Sequence, residues 1–281
     1  MRTYLDCIPC FVDQALRAGR IATDDEKILK RILDEVGMML RDIPLESTPP
    51  ETGMLVYEKV REITGEFDPY KELKIESAEK ALALYPSLKR IVEQSNDKLL
   101  TAIRMAIAGN VIDFGPNRDF DIEEEIDDVL QKDFAIYDYD KFKDGLDRTN
   151  EILYLGDNAG EAVFDRILIE ALKKPVTYVV RDVPVINDVT YEDALHAGID
   201  EVASIVSSGT RAPGTILKTC NAEFKEAYNN SNFIISKGQG NYEGLSNEKR
   251  PIFFLLKVKC HVIAHDIGVN VGEIVLKGLN I

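Results

Sequence analysis

The chain has 281 residues, of which 45% are hydrophobic and 30% are charged, so it is long enough for one large or two modest folded domains. Its formal net charge of −15 argues against a nucleic-acid partner, because phosphate backbones are bound by clustered Lys and Arg. No apolar run approaches the roughly 20 residues of a membrane-spanning helix, and no signal peptide is recognisable. We therefore expect a cytoplasmic protein without a membrane partner.

The first half of the chain, to about residue 148, shows the hydrophobic spacing of helices. The longest such pattern runs from about residue 87 to residue 108 and ends at Gly109, a residue type that commonly terminates helices. Asn110 and Asp113 follow, three residues apart, and can either satisfy their own backbone or line a cleft. This half is predicted to be helical.

From about Glu151 the pattern changes, because short β-branched or aromatic runs alternate with short helical stretches. This alternation predicts a mainly parallel sheet wrapped by helices, and therefore an α/β fold class. The strand order is not readable from the sequence. The predicted strands are residues 152–155, 176–180, 202–206, 233–236 and 252–258.

Oxygen-bearing side chains follow two of these predicted strands. Asp157 and Asn158 come after the first strand, and Asp188 comes shortly after the second. The carboxyl ends of parallel strands lie on one side of a sheet, so these side chains are expected to converge. Carboxylate and carboxamide oxygens are the ligands that hard divalent cations prefer. A second interpretation stays open, in which the two Asp residues only cap the helices that follow.

Two further strand ends carry chemistry that suits an anion. The segment Ser208-Gly209-Thr210 offers hydroxyl groups and backbone N–H groups of the kind that hold phosphate at the start of a helix. Lys237, which precedes Gly238, can place an ammonium near the same anion, although it is equally compatible with a surface position. Together the four strand ends predict a site for a metal ion and a phosphate ester.

Cysteine and histidine give weaker signals. Cys7 and Cys10 have the spacing of redox or zinc motifs, but they begin a helical stretch and no second Cys pair exists, so a packing role is equally open. The three histidines, at 196, 261 and 265, lie outside the strand-end loops. That placement argues against a His-rich zinc centre.

Several separated motifs, in this order and spacing, resemble the damage-control phosphatase family, first described as domain of unknown function 89. The resemblance covers nearly the whole chain, and the early Cys pair is similar to the shorter microbial branch of the family. The motifs are Cys7-x-x-Cys10, Asp68-Pro69-Tyr70, Gly109-Asn110-x-x-Asp113, Gly156-Asp157-Asn158-x-Gly160-Glu161, Arg181-x-x-Pro184-x-x-Asn187-Asp188-x-Thr190 and Lys237-Gly238-x-Gly240-x-x-Glu243.

The resemblance implies a helical domain over residues 1–148 and a Rossmann-like α/β domain over residues 149–281. It also implies metal-dependent hydrolysis of phosphate esters of small metabolites, such as sugar phosphates or damaged metabolites. The cofactor would be a divalent cation (Mg²⁺, Mn²⁺, Co²⁺ or Ni²⁺), and the partner a phosphorylated metabolite. The implied metal ligands are Asp157, Asn158 and Asp188, with Lys237 as a further catalytic residue. The substrate-binding candidates are Asn110, Asp113, Glu161, Asn187, Ser208, Gly209, Thr210 and Gly238.

Two alternatives remain at this point. The chain could bind a phosphometabolite or nucleotide without hydrolysing it. If it is a phosphatase, either water or the Asp157 carboxylate attacks phosphorus. Haloacid dehalogenase phosphatases, which use a strand-end Asp as nucleophile, carry a second Asp two residues later, where this chain has Ala159. That difference favours attack by water.

Overall fold

A computed structural model describes residues 1–109 and 128–281, and these residues form a seven-stranded sheet with helices on both faces. Across the sheet the strand order is β1-β7-β6-β5-β2-β3-β4. The β6–β7 pair is antiparallel and the other neighbouring pairs are parallel, which confirms the predicted α/β class. The strands are β1 (Phe134–Tyr137), β2 (Ile152–Leu155), β3 (Val176–Val180), β4 (Ser204–Ser207), β5 (Ile234–Lys237), β6 (Ile252–Lys257) and β7 (Ile274–Leu279).

The helices belong to three layers. One hydrophobic cluster packs α4 to α7 on one face of the sheet, and a second packs α9 to α11 on the other face. Helices α1 to α3 bury their apolar sides mainly against one another in a third cluster. The helices are α1 (Cys7–Ala22), α2 (Glu26–Leu40), α3 (Pro49–Thr64), α4 (Lys71–Gln94), α5 (Lys98–Gly109), α6 (Tyr139–Arg148), α7 (Ala162–Leu172), α8 (Tyr191–His196), α9 (Ala222–Asn230), α10 (Gly238–Leu245) and α11 (His261–Ile267).

The predicted long helix over residues 87–108 is in fact two helices. Helix α4 ends at Gln94, and the Asp97 carboxylate accepts a hydrogen bond of 3.0 Å from the Leu100 N–H at the start of α5. Such a side-chain cap satisfies a backbone donor that a new helix leaves unpaired. Pro86 lies inside α4, so this proline does not mark the end of the helix.

The sheet also begins earlier than predicted. Strand β1 starts at Phe134, inside the segment 1–148 that the sequence assigned to a helical domain, and pairs with β7 at the sheet edge. Strand β7 was not predicted either. The two inner strands β2 and β3 have the predicted bounds, because both are buried, near-continuous apolar runs.

The chain order of the strands creates a crevice between β2 and β5. From β2 the chain proceeds outward to β3 and β4, then returns to the other side of β2 as β5 and continues to β6. Ligands of open α/β sheets bind at such a reversal, beyond the carboxyl ends of the strands. The loop after β2 and the start of α10 meet there.

In the part of the chain that the structure describes, none of the helices is both long and apolar enough to span a bilayer.

Candidate active site

The loops that follow β2 and β3 are joined by their backbones. Asn158 and Asp188 lie opposite each other in an isolated antiparallel bridge. Two hydrogen bonds flank the bridge, one of 2.8 Å from the Val189 N–H to the Asp157 carbonyl and one of 2.9 Å from the Ala159 N–H to the Asn187 carbonyl. The structure therefore brings Asp157, Asn158 and Asp188 together, and we call these three residues the ligand cluster.

The Asp188 carboxylate is oriented by a buried arginine. The Arg181 Nε donates to Asp188 Oδ2 at 2.7 Å, and Arg181 Nη2 donates to the Asn241 carboxamide oxygen at 3.0 Å. The Asn241 amide nitrogen in turn donates to the carbonyl oxygens of Gly156 and Lys237, at 3.1 and 2.8 Å. Asn241 thus ties the ends of β2 and β5 to the arginine that holds Asp188. Sequence reasoning had assigned it no role.

The Asn158 side chain is held through its amide nitrogen. Its Nδ2 donates to Asp157 Oδ2 at 3.1 Å and to Glu161 Oε2 at 3.2 Å. The carboxamide oxygen therefore points away from these two carboxylates. Glu161, a predicted substrate-binding residue, is only 1% exposed and acts here as a partner of Asn158.

Gly238 lies directly against the Asp157 carboxylate. Its φ of +75° belongs to the left-handed region that glycine adopts without strain, and a Cβ at this position would overlap the carboxylate of Asp157. Gly238 is also the first residue of α10, so the helix start is brought to the ligand cluster. A larger side chain at residue 238 would displace the Asp157 carboxylate.

Lys237, predicted to bind the anion, is instead fully buried. Its ammonium donates to Glu161 Oε1, to Asp165 Oδ1 at 2.6 Å and to the Ala106 carbonyl at 2.8 Å. An ammonium has three N–H donors, and these three acceptors use them all. Lys237 therefore does not reach a substrate in this arrangement. We call Lys237, Glu161 and Asp165 the lysine cluster.

The lysine cluster is completed by two tyrosine hydroxyl groups. Tyr154 and Tyr178 are paired across β2 and β3, and their hydroxyls donate to the two oxygens of Asp165 at 2.7 and 2.9 Å. Asp165 lies on α7 and was not singled out in the sequence, because an Asp inside a helical pattern has no local signal for burial.

Burial and nearby negative charge raise the pKa values of the two carboxyl groups in the ligand cluster. Burial, followed by the charges of Glu161 and Asp188, raises the pKa of Asp157 well above its ordinary value. Burial also raises the pKa of Asp188 to about 6, although the Arg181 guanidinium opposes the shift. For both carboxyl groups, burial and nearby negative charge outweigh the effect of the nearby cations.

The buried charges around the crevice do not balance when they are all ionised. Two cations, Lys237 and Arg181, face four carboxylates. Two negative charges are left over in this set. Within residues 1–109 and 128–281, no three His, Cys, Asp or Glu side chains form a metal-binding group. The four carboxylates are those of Asp157, Glu161, Asp165 and Asp188.

The predicted phosphate cradle after β4 is not formed. No helix follows directly, and the Ser208 N–H and hydroxyl both bond to the Val180 carbonyl, at 2.9 and 2.8 Å. The Gly209 N–H donates to the Ser207 hydroxyl, and the Thr210 hydroxyl pairs with that of Thr219. These four groups hold the loop in place, so they do not point to a phosphate site in this arrangement.

Lys259 is a cation at the same end of the strands that the sequence did not predict. Lys259 follows β6 and is exposed, and its N–H donates to the Gln239 side chain at 3.2 Å. Its charge lowers the pKa of Asp157, so it lies near the ligand cluster. No carboxylate among the described residues pairs with its ammonium.

Two of the predicted substrate-binding residues, Asn110 and Asp113, lie outside the described residues.

The remaining motif residues take structural positions. Cys7 is buried in the cluster of helices α1 to α3, whereas Cys10 is exposed, and both are free thiols. His196 is the last residue of α8, as expected for a helix end. The Asn187 carbonyl belongs to the backbone pairing described above.

Comparison with known proteins agrees with this architecture. Residues 3–275 match the family model of the damage-control phosphatase ARMT1-like domain. A Pyrococcus horikoshii protein, damage-control phosphatase PH1575, is 35% identical over 98% of this chain and 97% of its own length. A damage-control phosphatase of Archaeoglobus fulgidus is 36% identical, over 96% of this chain and 97% of its own. An uncharacterised Methanocaldococcus jannaschii protein, MJ0202, is 38% identical over 96% and 93%.

A solved structure shows the same fold. The crystal structure of PH1575, described as a DUF89 family protein, matches with a TM-score of 0.90 at 35% identity and covers 98% of both chains. The sequence resemblance is therefore confirmed, and the chain belongs to the damage-control phosphatase family.

Proposed function

We propose that this chain is a metal-dependent phosphatase that hydrolyses phosphate monoesters of small metabolites. Membership in the damage-control phosphatase family supports a phosphatase role on damaged metabolites. The metal, the monoester chemistry and the cytoplasmic location are our own proposals. The candidate cations are Mg²⁺, Mn²⁺, Co²⁺ and Ni²⁺.

The observation that carries the proposal is the negative charge left in the buried crevice. Arg181 pairs with Asp188, and the four buried carboxylates around the crevice outnumber Lys237 and Arg181 by two when all of these groups are ionised. A divalent cation would compensate that difference. Two carboxylates and a carboxamide are hard oxygen donors that suit such an ion, so the residues present fit it.

Each residue of the ligand cluster has a distinct task in this proposal. Asp157 and Asp188 would hold the cation, and Asn158 would add its carboxamide oxygen. Arg181 donates to Asp188 Oδ2, so Oδ1 would be the oxygen of Asp188 that binds the cation. The bound cation would supply positive charge to a phosphoryl oxygen of the ester. Gly238 leaves the space that the Asp157 carboxylate occupies.

The surrounding residues keep the cluster in place and bring in the substrate. The lysine cluster fixes Asn158 through Glu161, whose carboxylate bonds to both Asn158 and Lys237. Lys259 is the exposed cation that would attract the anionic ester toward the site. We propose water as the attacking group, and trapping of a phosphoryl group on Asp157 would overturn that choice.

The proposal is tested with Asp157→Asn and Asp188→Asn, which keep side-chain shape and remove charge. We expect each to lower turnover of p-nitrophenyl phosphate by about 1000-fold, the scale of a lost electrostatic contact to the transition state. Both variants should also lose the rise in melting temperature that Mn²⁺ or Mg²⁺ produces in the unchanged protein. The assay is phosphate release with each of the four cations and with chelator.

Asp182→Asn is the matched control, because Asp182 lies in the same loop after β3 but is exposed, and its carboxylate accepts only from the Ser207 hydroxyl among the described residues. It should keep turnover and the metal response. Turnover that persists in chelator would overturn the metal assignment. Metal-dependent binding of phosphate esters without any phosphate release would instead identify a non-catalytic binding protein.

A further inference from the structure

Three of the four cysteines of the chain meet where the start of α1 lies against α11. The Tyr4 ring, just before α1, has its centroid 6.2 Å from that of His265, and the Tyr4 hydroxyl donates to Asp266 Oδ1 at 3.4 Å. Val262 of α11 packs against the hydrophobic cluster of helices α1 to α3. These contacts bring the residue before α11 to the Cys pair of α1. We call the three residues the thiol cluster: Cys7, Cys10 and Cys260.

The thiols of this cluster act on one another through their charges. Burial raises the pKa of Cys10, and the charge of Cys260 adds to the shift, whereas a hydrogen bond of 3.2 Å from the Gln14 amide opposes it. Burial also raises the pKa of Cys7 to about 11, and the charges of both other thiols add to that shift. Only nearby charges shift a pKa in this way, so the three sulfur atoms lie close together.

Cys10 and Cys260 suit a disulfide better than Cys7 and Cys10 do. Cys10 is exposed and Cys260 is half-buried, whereas Cys7 is buried. Cys7 and Cys10 lie one turn apart in α1, and Cβ atoms at that spacing are roughly 5 to 6 Å apart, beyond the roughly 3.5 to 4.5 Å of a disulfide. Cys260 has extended backbone before α11, so its position relative to Cys10 is not fixed by a shared helix.

The cysteine before α11 is also coupled to the crevice, because the residue before it is Lys259, the exposed cation near the ligand cluster. One side chain contacts both residues. The Gln239 amide nitrogen donates to Cys260 Sγ at 3.5 Å, and the Gln239 carboxamide oxygen accepts from the Lys259 N–H at 3.2 Å. A bond that draws the Cys260 sulfur toward Cys10 would break its contact with Gln239. The position of Lys259 therefore depends on the state of the Cys260 thiol.

We propose that Cys10 and Cys260 form a reversible disulfide, and that this bond displaces Lys259 and weakens binding of the anionic ester. The oxidant is a small-molecule disulfide. The Cys10 thiolate attacks one of its sulfur atoms and releases a thiolate, and the Cys260 thiolate then attacks the Cys10 sulfur and releases the second. Two protein thiols are oxidised, the small disulfide is reduced to two thiols, and these take up the two protons. The bond stands on the thiol cluster alone, whereas its effect on the ester rests on the proposed phosphatase function.

The first test identifies the bond. The whole protein is treated with bis(2-hydroxyethyl) disulfide, an uncharged oxidant, at about pH 8.5, close to the ordinary pKa of a thiol. We expect the intact mass to fall by two hydrogen atoms and the tryptic peptides 3–17 and 260–277 to be joined. Cys10→Ser and Cys260→Ser should lose the link. Cys7→Ala, a change in the same helical turn, is the matched control and should keep it.

Three results would overturn the pairing. A link within peptide 3–17 would show that Cys7 and Cys10 pair with each other. A link between the two peptides that survives in Cys10→Ser and disappears in Cys7→Ala would show that Cys7 is the partner of Cys260. A mixed disulfide that persists on Cys10 would show that Cys260 does not reach it.

The second test measures the effect on the ester. KM for p-nitrophenyl phosphate is measured with Mn²⁺ before and after oxidation. We expect oxidation to raise KM about threefold at unchanged kcat, the scale of one exposed charge interaction, and reduction with dithiothreitol to reverse the change. Cys260→Ser should not respond to the oxidant. Lys259→Met already lacks the cation, so oxidation should leave its KM unchanged.

The outcomes separate this inference from the proposed phosphatase function. An unchanged KM in the oxidised protein, or an equal rise in Lys259→Met, would overturn the link between the disulfide and the crevice. If the unchanged protein releases no phosphate, the phosphatase function fails, and binding of p-nitrophenyl phosphate to both forms is measured by calorimetry with Mn²⁺. Binding that is about threefold weaker after oxidation would support the inference. Equal binding to both forms would overturn it.

Discussion

The ligand cluster and the lysine cluster are built from similar residues but differ in how their charge is compensated. In the lysine cluster one ammonium and two tyrosine hydroxyls supply donors to the buried carboxylates of Glu161 and Asp165. In the ligand cluster the Arg181 guanidinium pairs with Asp188, and the charge of Asp188 raises the pKa of Asp157. The lysine cluster is a closed network, whereas the ligand cluster brings two carboxylates near one buried guanidinium.

This difference indicates which of the two clusters is available to bind a ligand. A network whose donors and acceptors are all used within the protein rigidifies the fold, but it offers nothing to a ligand. A cluster with uncompensated negative charge is stabilised when it binds a cation. The lysine cluster thus positions Asn158 through Glu161, and the ligand cluster faces the crevice.

Replacing Lys237 is the strongest way to break the closed network. Lys237→Met leaves Glu161 and Asp165 buried without their cation, so we expect a loss of about 3 to 5 kcal/mol in the free energy of unfolding. Urea denaturation measures the loss. Lys259→Met is the matched control, because this exposed lysine follows the neighbouring strand, and its stability should change by less than about 0.5 kcal/mol.

The same pair of variants tests the earlier prediction that Lys237 binds the phosphate. If that prediction holds despite the contacts described here, Lys237→Met would stay as stable as the unchanged protein and show a raised KM. The contrast between the two clusters would then be wrong. Under our proposal it is Lys259→Met that raises KM without loss of stability.

Asp165 gives a pH-dependent test of how complete the compensation is. Burial raises the pKa of Asp165 to about 6 from 3.8, although Lys237 opposes the shift. Below about pH 3.8 the Asp165 carboxyl is protonated in both the folded and the unfolded chain, so its ionisation does not lower the stability of the fold. As the pH rises to about 6 the unfolded chain loses this proton first, so stability falls by about 2 to 3 kcal/mol and then stays constant.

The variant Asp165→Asn should lack this decline, because it leaves Lys237 and Glu161 as a one-to-one pair and keeps an acceptor for the tyrosines. Denaturation curves of both proteins between pH 4 and 7.5, in chelator, give the difference. Asp182→Asn controls for the loss of an exposed carboxylate. A variant that is clearly less stable than the unchanged protein at pH 7.5 would show that the ionised Asp165 is favourable overall.

Local sequence was enough to predict that Asp157, Asn158 and Asp188 converge, but not to separate them from the residues that support them. Asp157 follows β2 after one residue and Asp188 lies in the loop after β3, so the topology of a parallel sheet brings them together. Lys237 also ends a strand, yet its partners come from α5 and α7, at Ala106 and Asp165. Contacts between residues so distant in the chain leave no periodic or spacing signal.

The parts of the fold that were missed have similar causes. Strand β1 is an apolar run as short as β2, but it lies at the sheet edge with half-buried and exposed residues, inside the segment 1–148 that was assigned to helices. The cradle expected at Ser208 depended on a helix after β4, and the loop found there uses those donors itself.

The smallest expected effect comes from Tyr178, a neutral donor of the lysine cluster. Its hydroxyl bonds to Asp165 at 2.9 Å, so Tyr178→Phe should lower the free energy of unfolding by about 1.5 kcal/mol. Tyr228→Phe is the matched control, because the Tyr228 hydroxyl is buried without a partner among the described residues and its removal should cost nothing. Since Tyr178 does not bond to the ligand cluster, turnover of Tyr178→Phe should stay within about threefold of the unchanged protein. A large loss of turnover at unchanged stability would mean that the two clusters act as a single unit, because a purely supporting network transmits its loss through stability first.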